Sequence, residues 1–337
     1  MSLNSFKGQI ESVRPAKDRP SPWSVPKVLD SLEPDGMGGE VETTTVFLTG
    51  AECPFRCTMC DLWAYTSSER TPVGAIPFQL SQVLSVVDSG KRRWLKLYNA
   101  SNFFDPRSIP HEDLAEIAGQ CSQFERVIVE NHPRFCDDRM RAFAEQLGGQ
   151  LEVAMGLETI HPKAMAAMNK GMTLDDFHKA VEKCHELGLD VRAFVLLHPP
   201  GIALEESVEW TWKTVAYALE RNVRHVSVIP VRAGNGWIDK LIAEGQYQRP
   251  TVSLVKAFYD ARHEQDIPIP SLSIEIPASL IPIPASSVVE FDLWDWDNLK
   301  GGCGLCRPKL KAHIEQCNRT QHLIPMNEIK LDCECTL

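Results

Sequence analysis

Three cysteines stand within eight residues in Thr49-Gly50-Ala51-Glu52-Cys53-Pro54-Phe55-Arg56-Cys57-Thr58-Met59-Cys60. Thiolates are soft ligands that select iron–sulfur clusters or zinc. Structural zinc takes four protein ligands, often as two separated CxxC pairs. Cys53, Cys57 and Cys60 have no fourth thiol beside them. That spacing points to a four-iron cluster in which the protein holds three irons and leaves one open. A second concentration lies in Gly301-Gly302-Cys303-Gly304-Leu305-Cys306, with Cys317 eleven residues on and Cys333 and Cys335 in the tail. A CxxC among small residues lets the backbone fold tightly around a metal. A second site is expected on Cys303, Cys306, Cys317 and Cys333, with Cys335 another source of the fourth ligand. It would hold an auxiliary iron–sulfur cluster or zinc. The other reading is a set of reduced thiols near the mouth of the fold. Cys121, Cys136 and Cys184 fall on predicted helix faces and read as core fillers.

The chain around these thiols is that of an ordinary globular protein. Of 337 residues, 43% are hydrophobic and 24% charged, which excludes a disordered chain or a fibre. The most apolar stretch, Ser271 to Val289, is broken by Glu275, Pro277, Pro282 and Pro284 and cannot be a membrane span. The N-terminal residues show no apolar signal core, so a cytoplasmic location is expected and eleven cysteines read as metal chemistry rather than a disulfide framework. The net charge of −10 argues against a broad phosphate-gripping surface.

The elements that must position the thiols follow from hydrophobic spacing. Residues 1–42 are rich in proline and polar groups and read as an irregular lead-in. From 43 to 265, strands at Thr43–Leu48, Trp94–Tyr98, Arg126–Val129, Leu151–Leu157, Val191–Leu197 and His225–Val231 alternate with helices. Thr173 is the expected N-cap of one of those helices. Strict alternation implies a parallel sheet with right-handed crossovers. Six units fit an open doubly wound sheet or a partial barrel, and in both function gathers at the carboxyl ends of the strands. The nearly continuous apolar strands imply that both sheet faces are covered. Residues 266–337 read as a cysteine-rich extension rather than a seventh unit.

Cys53-x3-Cys57-x2-Cys60, placed after the first strand of such a chain, resembles the radical S-adenosylmethionine (SAM) superfamily. The resemblance implies a partial (βα)6 radical-SAM barrel, a [4Fe–4S] cluster and SAM. It also implies an electron from a reductase or flavodoxin-type partner. In that family the cluster cleaves SAM reductively, and the 5′-deoxyadenosyl radical abstracts a substrate hydrogen. Met59 stands where many members carry an aromatic, and it would pack on adenine. Ser101 and Asn102, in Tyr98-Asn99-Ala100-Ser101-Asn102-Phe103-Phe104-Asp105, match the segment that binds the cofactor's amino group. Glu130, closing strand three, would hold a ribose hydroxyl or the ammonium.

Gly156-Leu157-Glu158-Thr159 and Asn169-Lys170-Gly171-Met172-Thr173 resemble signatures of the Elongator- and methylthiotransferase-type branch, with Glu158 a cofactor contact. Arg192 would pair with the cofactor carboxylate or form a structural ion pair. Val195 to Leu197, with Leu196 at the centre, would wall the adenine. His132 and His198, both at strand ends, read as loop histidines, the other reading being a proton donor or substrate contact. The resemblance spans about residues 43–232. These motifs are most similar to a branch of iron–sulfur oxidoreductases that includes the radical lyase of archaeosine formation. That lyase acts on a 7-deazaguanine nucleoside of transfer RNA carrying a lysine adduct. Radical chemistry on a small molecule or peptide, or a non-enzymatic electron carrier, are the other readings.

Overall fold

The computed structural model describes residues 3–17, 20–87, 93–264, 266–269, 274–277, 283–284 and 286–322, and in the tail 324–326, 329, 333 and 335. Parts of the apolar stretch from Ser271, namely 271–273, 278–282 and 285, lie outside the described residues.

The chain begins with helix α1 (Leu3–Ser12) and strands β1 (Lys27–Pro34) and β2 (Glu40–Phe47). Helices and strands then alternate: α2 (Ala75–Leu84), β3 (Trp94–Tyr98), α3 (Leu114–Cys121), β4 (Arg126–Asn131), α4 (Arg139–Leu147) and β5 (Gln150–Glu158). There follow α5 (Pro162–Met168), α6 (Leu174–Glu186), β6 (Asp190–Leu197), α7 (Ser207–Leu219), β7 (His225–Pro230), α8 (Trp237–Ala243) and α9 (Val252–Glu264). A two-stranded ribbon, β8 (Asp266–Ile269) with β9 (Ile274–Pro277), precedes β10 (Val288–Phe291) and α10 (Cys306–Thr320). Thr173 caps α6 as expected, in a box closed by Asp176.

One sheet of eight strands, ordered β1-β2-β3-β4-β5-β6-β7-β10, carries the fold. All neighbours are parallel except β1, which pairs antiparallel with β2. The sheet is curled: Arg192 on β6 reaches Glu33 on β1, although four strands lie between them. Two expectations are corrected. The lead-in is not wholly irregular, since it supplies α1 and the edge strand β1. The C-terminal extension supplies a further parallel strand, β10, whose register starts at Val288 opposite His225. Its free edge is closed by side chains of α10 and its end. The Asn318 amide donates to the Phe291 carbonyl and accepts from its N–H, both at 2.9 Å, and Gln321 accepts from Val289 N–H at 2.8 Å. A covered edge cannot recruit another chain.

The two sheet faces differ. Leu95, Leu97, Val127, Val129, Leu151, Val153, Val191 and Val195 pack outward under the helices. The inner face has an apolar belt of Val41, Trp94, Ile128 and Ala154 with Tyr98 and Phe194 beside it, and it also carries charge. Arg192 is only 1% exposed and lies between Glu152 (2.7 Å) and Glu33 (2.9 Å). Glu152 also takes Arg126 at 2.9 Å and Arg224 at 3.1 Å, and Lys96 pairs with Glu33. Both faces are covered, as expected, but the inner one is buried around charge as well as apolar groups. A curled sheet lets opposite charges meet across its concavity, where burial without partners would be prohibitive.

Candidate active site

The loop after β2 carries Cys53, Cys57 and Cys60, and all three are free thiols. It is tied down from several elements. Arg56 donates to the carbonyls of Cys53 (2.7 Å) and Phe55 (2.9 Å) and to Glu11 of α1 (2.5 Å). Glu52 accepts from Arg14 and Lys17 at 2.8 Å each, so the lead-in locks the loop. From the other side, the end of α5 grips Thr58. Thr58 N–H donates to Met168 O at 2.9 Å, its hydroxyl to Ala167 O at 3.1 Å, and its own carbonyl accepts from Asn235. Asn169 donates to Arg56 O at 2.9 Å.

Around this loop the carboxyl ends of β3, β5 and β6 turn sharply. Ala100, Glu158 and His198 take positive φ of 51°, 65° and 60°. Such backbone costs about 1–3 kcal/mol per residue and concentrates at functional sites. The strained turn at Ala100 brings Asn102 Nδ2 to 3.2 Å from Cys53 Sγ. It leaves Ser101 Oγ buried with no partner. Glu130 braces the same turn by accepting from Ala100 N–H at 3.2 Å. Burial pushes its carboxyl up to about 7, against the pull of the Ala100 and Asn99 amides. Glu158 meets Lys170 in an ion pair. A Cβ at Gly156 would occupy the space of both charged groups, which is why glycine precedes Glu158 by two.

Met59 packs against an apolar patch of Met168, Leu196, Val231, Ile238 and Tyr247. The structure thus brings Cys53, Cys57, Cys60, Met59, Asn102, Glu158 and Leu196 to one mouth, with Ser101 on the adjoining turn and Glu130 bracing that turn from β4. Arg192 is placed otherwise: its guanidinium is committed to Glu33 and Glu152 inside the sheet, so the structural ion pair is its role and the carboxylate contact is dropped. Cys317 also departs from expectation. It is fully buried on α10, while Cys303, Cys306, Cys333 and Cys335 gather elsewhere. Cys121 and Cys184 are buried in the core and Cys136 lies half-buried against it.

Sequence reading assigned no role to Lys170, Thr58 or Asn235. Only Lys170, within the Asn169-Lys170-Gly171 run, carried a signal. His132 and His198 are structural: His132 stacks on Phe55 at 3.9 Å and contacts Lys170 O. His198 stacks on Tyr247 and contacts Ser207.

Residues 47–210 match the family profile described as Radical SAM superfamily. This chain carries a radical SAM domain. Over 99% of its length the chain is similar, at 24% identity, to the archaeosine synthase subunit beta of Methanosarcina acetivorans, covering 94% of that protein. An uncharacterised protein of Methanocaldococcus jannaschii is 21% identical over 96% of this chain and 87% of its own length. Among solved structures, methylornithine synthase superposes with a TM-score of 0.50 at 11% identity, covering 86% of this chain and 74% of its own, which supports the fold. No helix among the described residues is long and apolar enough to cross a membrane.

The chain is therefore an enzyme, and its family's cofactors are a [4Fe–4S] cluster and SAM. The residues present fit them. The loop offers three thiols and no disulfide, and burial pushes the Cys57 thiol up to about 12. A bound metal ion would take the place of that proton. The unpartnered Ser101 hydroxyl and the Met59–Leu196 patch offer one polar and one apolar contact for SAM.

Proposed function

We propose that this radical SAM enzyme abstracts hydrogen from a 7-deazaguanine-type nucleoside of transfer RNA. Cys53, Cys57 and Cys60 hold the cluster. The bound cluster supplies the electron that cleaves the sulfonium of SAM. Asn102 donates to Cys53 Sγ, and a sulfur so hydrogen-bonded is a better-held thiolate. Ser101 and Glu158 bind the methionine end or ribose, with Lys170 holding the Glu158 carboxylate in place. Glu130 keeps the Ser101 turn closed. Met59 and Leu196 hold the adenine and keep water from it. The observation that carries the substrate class is the end-to-end similarity to the archaeosine synthase subunit of Methanosarcina acetivorans.

The test is anaerobic turnover with transfer RNA bearing the lysine-adducted 7-deazaguanine, deuterated at the adduct. Deuterium should enter 5′-deoxyadenosine. Deuterium transfer from a free peptide or small molecule, with none from the RNA, would overturn the substrate class. A separate expectation concerns the cofactor contact. Glu158→Ala should weaken SAM binding by about 10- to 150-fold, the value of one charge-assisted hydrogen bond, while iron content stays unchanged. Equilibrium dialysis with labelled SAM reads this directly. An unchanged dissociation constant would make Glu158 a partner of Lys170 alone.

A further inference from the structure

Outside the active site, the sulfurs of Cys303, Cys306, Cys333 and Cys335 all lie within 4.8 Å of one another. A tetrahedral zinc with bonds of about 2.3 Å places its four sulfurs about 3.8 Å apart. A four-iron cluster sets each sulfur beyond a different corner iron and spreads them further. The compact group therefore matches one ion. The backbone around Cys303 is shaped for it. Cys303 N–H points at Cys306 Sγ (3.0 Å) and Leu305 N–H at Cys303 Sγ (3.4 Å), the amide-to-sulfur bonds of a metal knuckle. Gly302, at φ 69°, lies so close that a Cβ would stand 3.2 Å from Cys306 Sγ and 2.9 Å from the Arg307 side chain. Arg307 in turn fixes the approach by donating to the carbonyls of Trp296, Leu299 and Gly301.

The ligands come from two separated stretches, one opening α10 and one in the tail. After α10 the tail doubles back: Met326 N–H donates to Asp260 of α9 at 2.7 Å, and Ile324 O contacts His313 of α10 at 2.9 Å. Cys333 and Cys335 lie beside Cys303 and Cys306 at the start of α10. The knuckle sits beside the start of α9, where Val252 N–H donates to Lys300 O at 2.9 Å. The same helix α10 closes the edge of β10 through Asn318.

We propose that Cys303, Cys306, Cys333 and Cys335 form a closed structural zinc site that pins the C-terminal tail to the start of α10. It leaves no open coordination position and takes no part in electron transfer. Zinc, rather than an auxiliary cluster, is what the sulfur spacing selects.

The full chain, purified without oxygen from zinc-supplemented cells, should contain about one zinc per chain besides the iron of the loop site. Cys333→Ser with Cys335→Ser should lose that zinc at least tenfold while keeping its iron, and the retained iron shows that the barrel has folded. Cys317→Ala should keep the zinc. Cobalt offered in place of zinc should give the visible absorption of a tetrahedral tetrathiolate in the parent chain and not in the tail variant. Zinc retained by the tail variant, zinc lost only with Cys317, or iron found at these cysteines in place of zinc would each overturn the assignment.

Discussion

Arg192→Met should destabilise this enzyme by about 3 kcal/mol, the low end of the cost of breaking a buried ion pair, because its partners keep other cations. Arg192 joins Glu152 to Glu33 inside the curled sheet. Without it Glu33 keeps Lys96, and Glu152 keeps Arg126 and Arg224, but the concavity loses its central cation. Arg192→Lys keeps the charge but not the two-sided reach of a guanidinium, so it should fall between. Urea denaturation of the anaerobic protein measures the series. A loss below about 0.5 kcal/mol, the scale of a surface change, would remove the network from the account of the fold.

The same network sets a pH dependence. Burial alone would push the Glu152 carboxyl up, but Arg192, Arg126 and Arg224 overcome it and hold the group well below the usual carboxylate range. A group whose folded pKa is depressed stabilises the fold above its unfolded pKa. Its contribution is complete above about pH 4.5 and is lost as pH falls below that value. Glu152→Gln should remove this part of the acid sensitivity.

The second large effect concerns the loop thiols. Cys57→Ala alone should strip the cluster. The parent protein should be brown, carry about four irons at this site, and on reduction give a paramagnetic signal that changes when SAM is added. The variant should be pale and lose the SAM-sensitive signal. A three-thiol site has no spare ligand, and Asn102, the amide beside Cys53, is no substitute for a thiolate. A variant that retained the signal would move the cluster away from this loop.

Much of this was legible in the sequence because the signals were local. The helical spacing of Leu174, Phe177, Val181 and Cys184, with Thr173 before it, gives α6 and its cap. The thiol spacing marks the loop, and Gly156-Leu157-Glu158 marks the strained turn. What escaped was set by tertiary context. β1 reads as Pro-flanked lead-in because an edge strand is little covered on either face: Val28 and Leu32 on one side and Leu29 on the other are exposed, and only its end, at Glu33, is buried. β10 is four residues long and follows a proline-rich run, so it has no periodicity to read. Arg192 sits on a strand whose apolar neighbours suggest a cofactor wall. Only the curl of the sheet, which brings β1 to β6, reveals its ion pairs. Cys317 and Cys335 could not be told apart by spacing, since the choice depends on the tail doubling back.

Cys53, Cys57 and Cys60 should carry a SAM-cleaving cluster. The direct measurement is anaerobic incubation with SAM and dithionite, with 5′-deoxyadenosine quantified by mass spectrometry for the parent chain and for the triple Cys53→Ala, Cys57→Ala, Cys60→Ala variant. The parent should give 5′-deoxyadenosine and the variant none above the protein-free background. Reductive cleavage by the triple variant at the parent's rate would contradict this assignment.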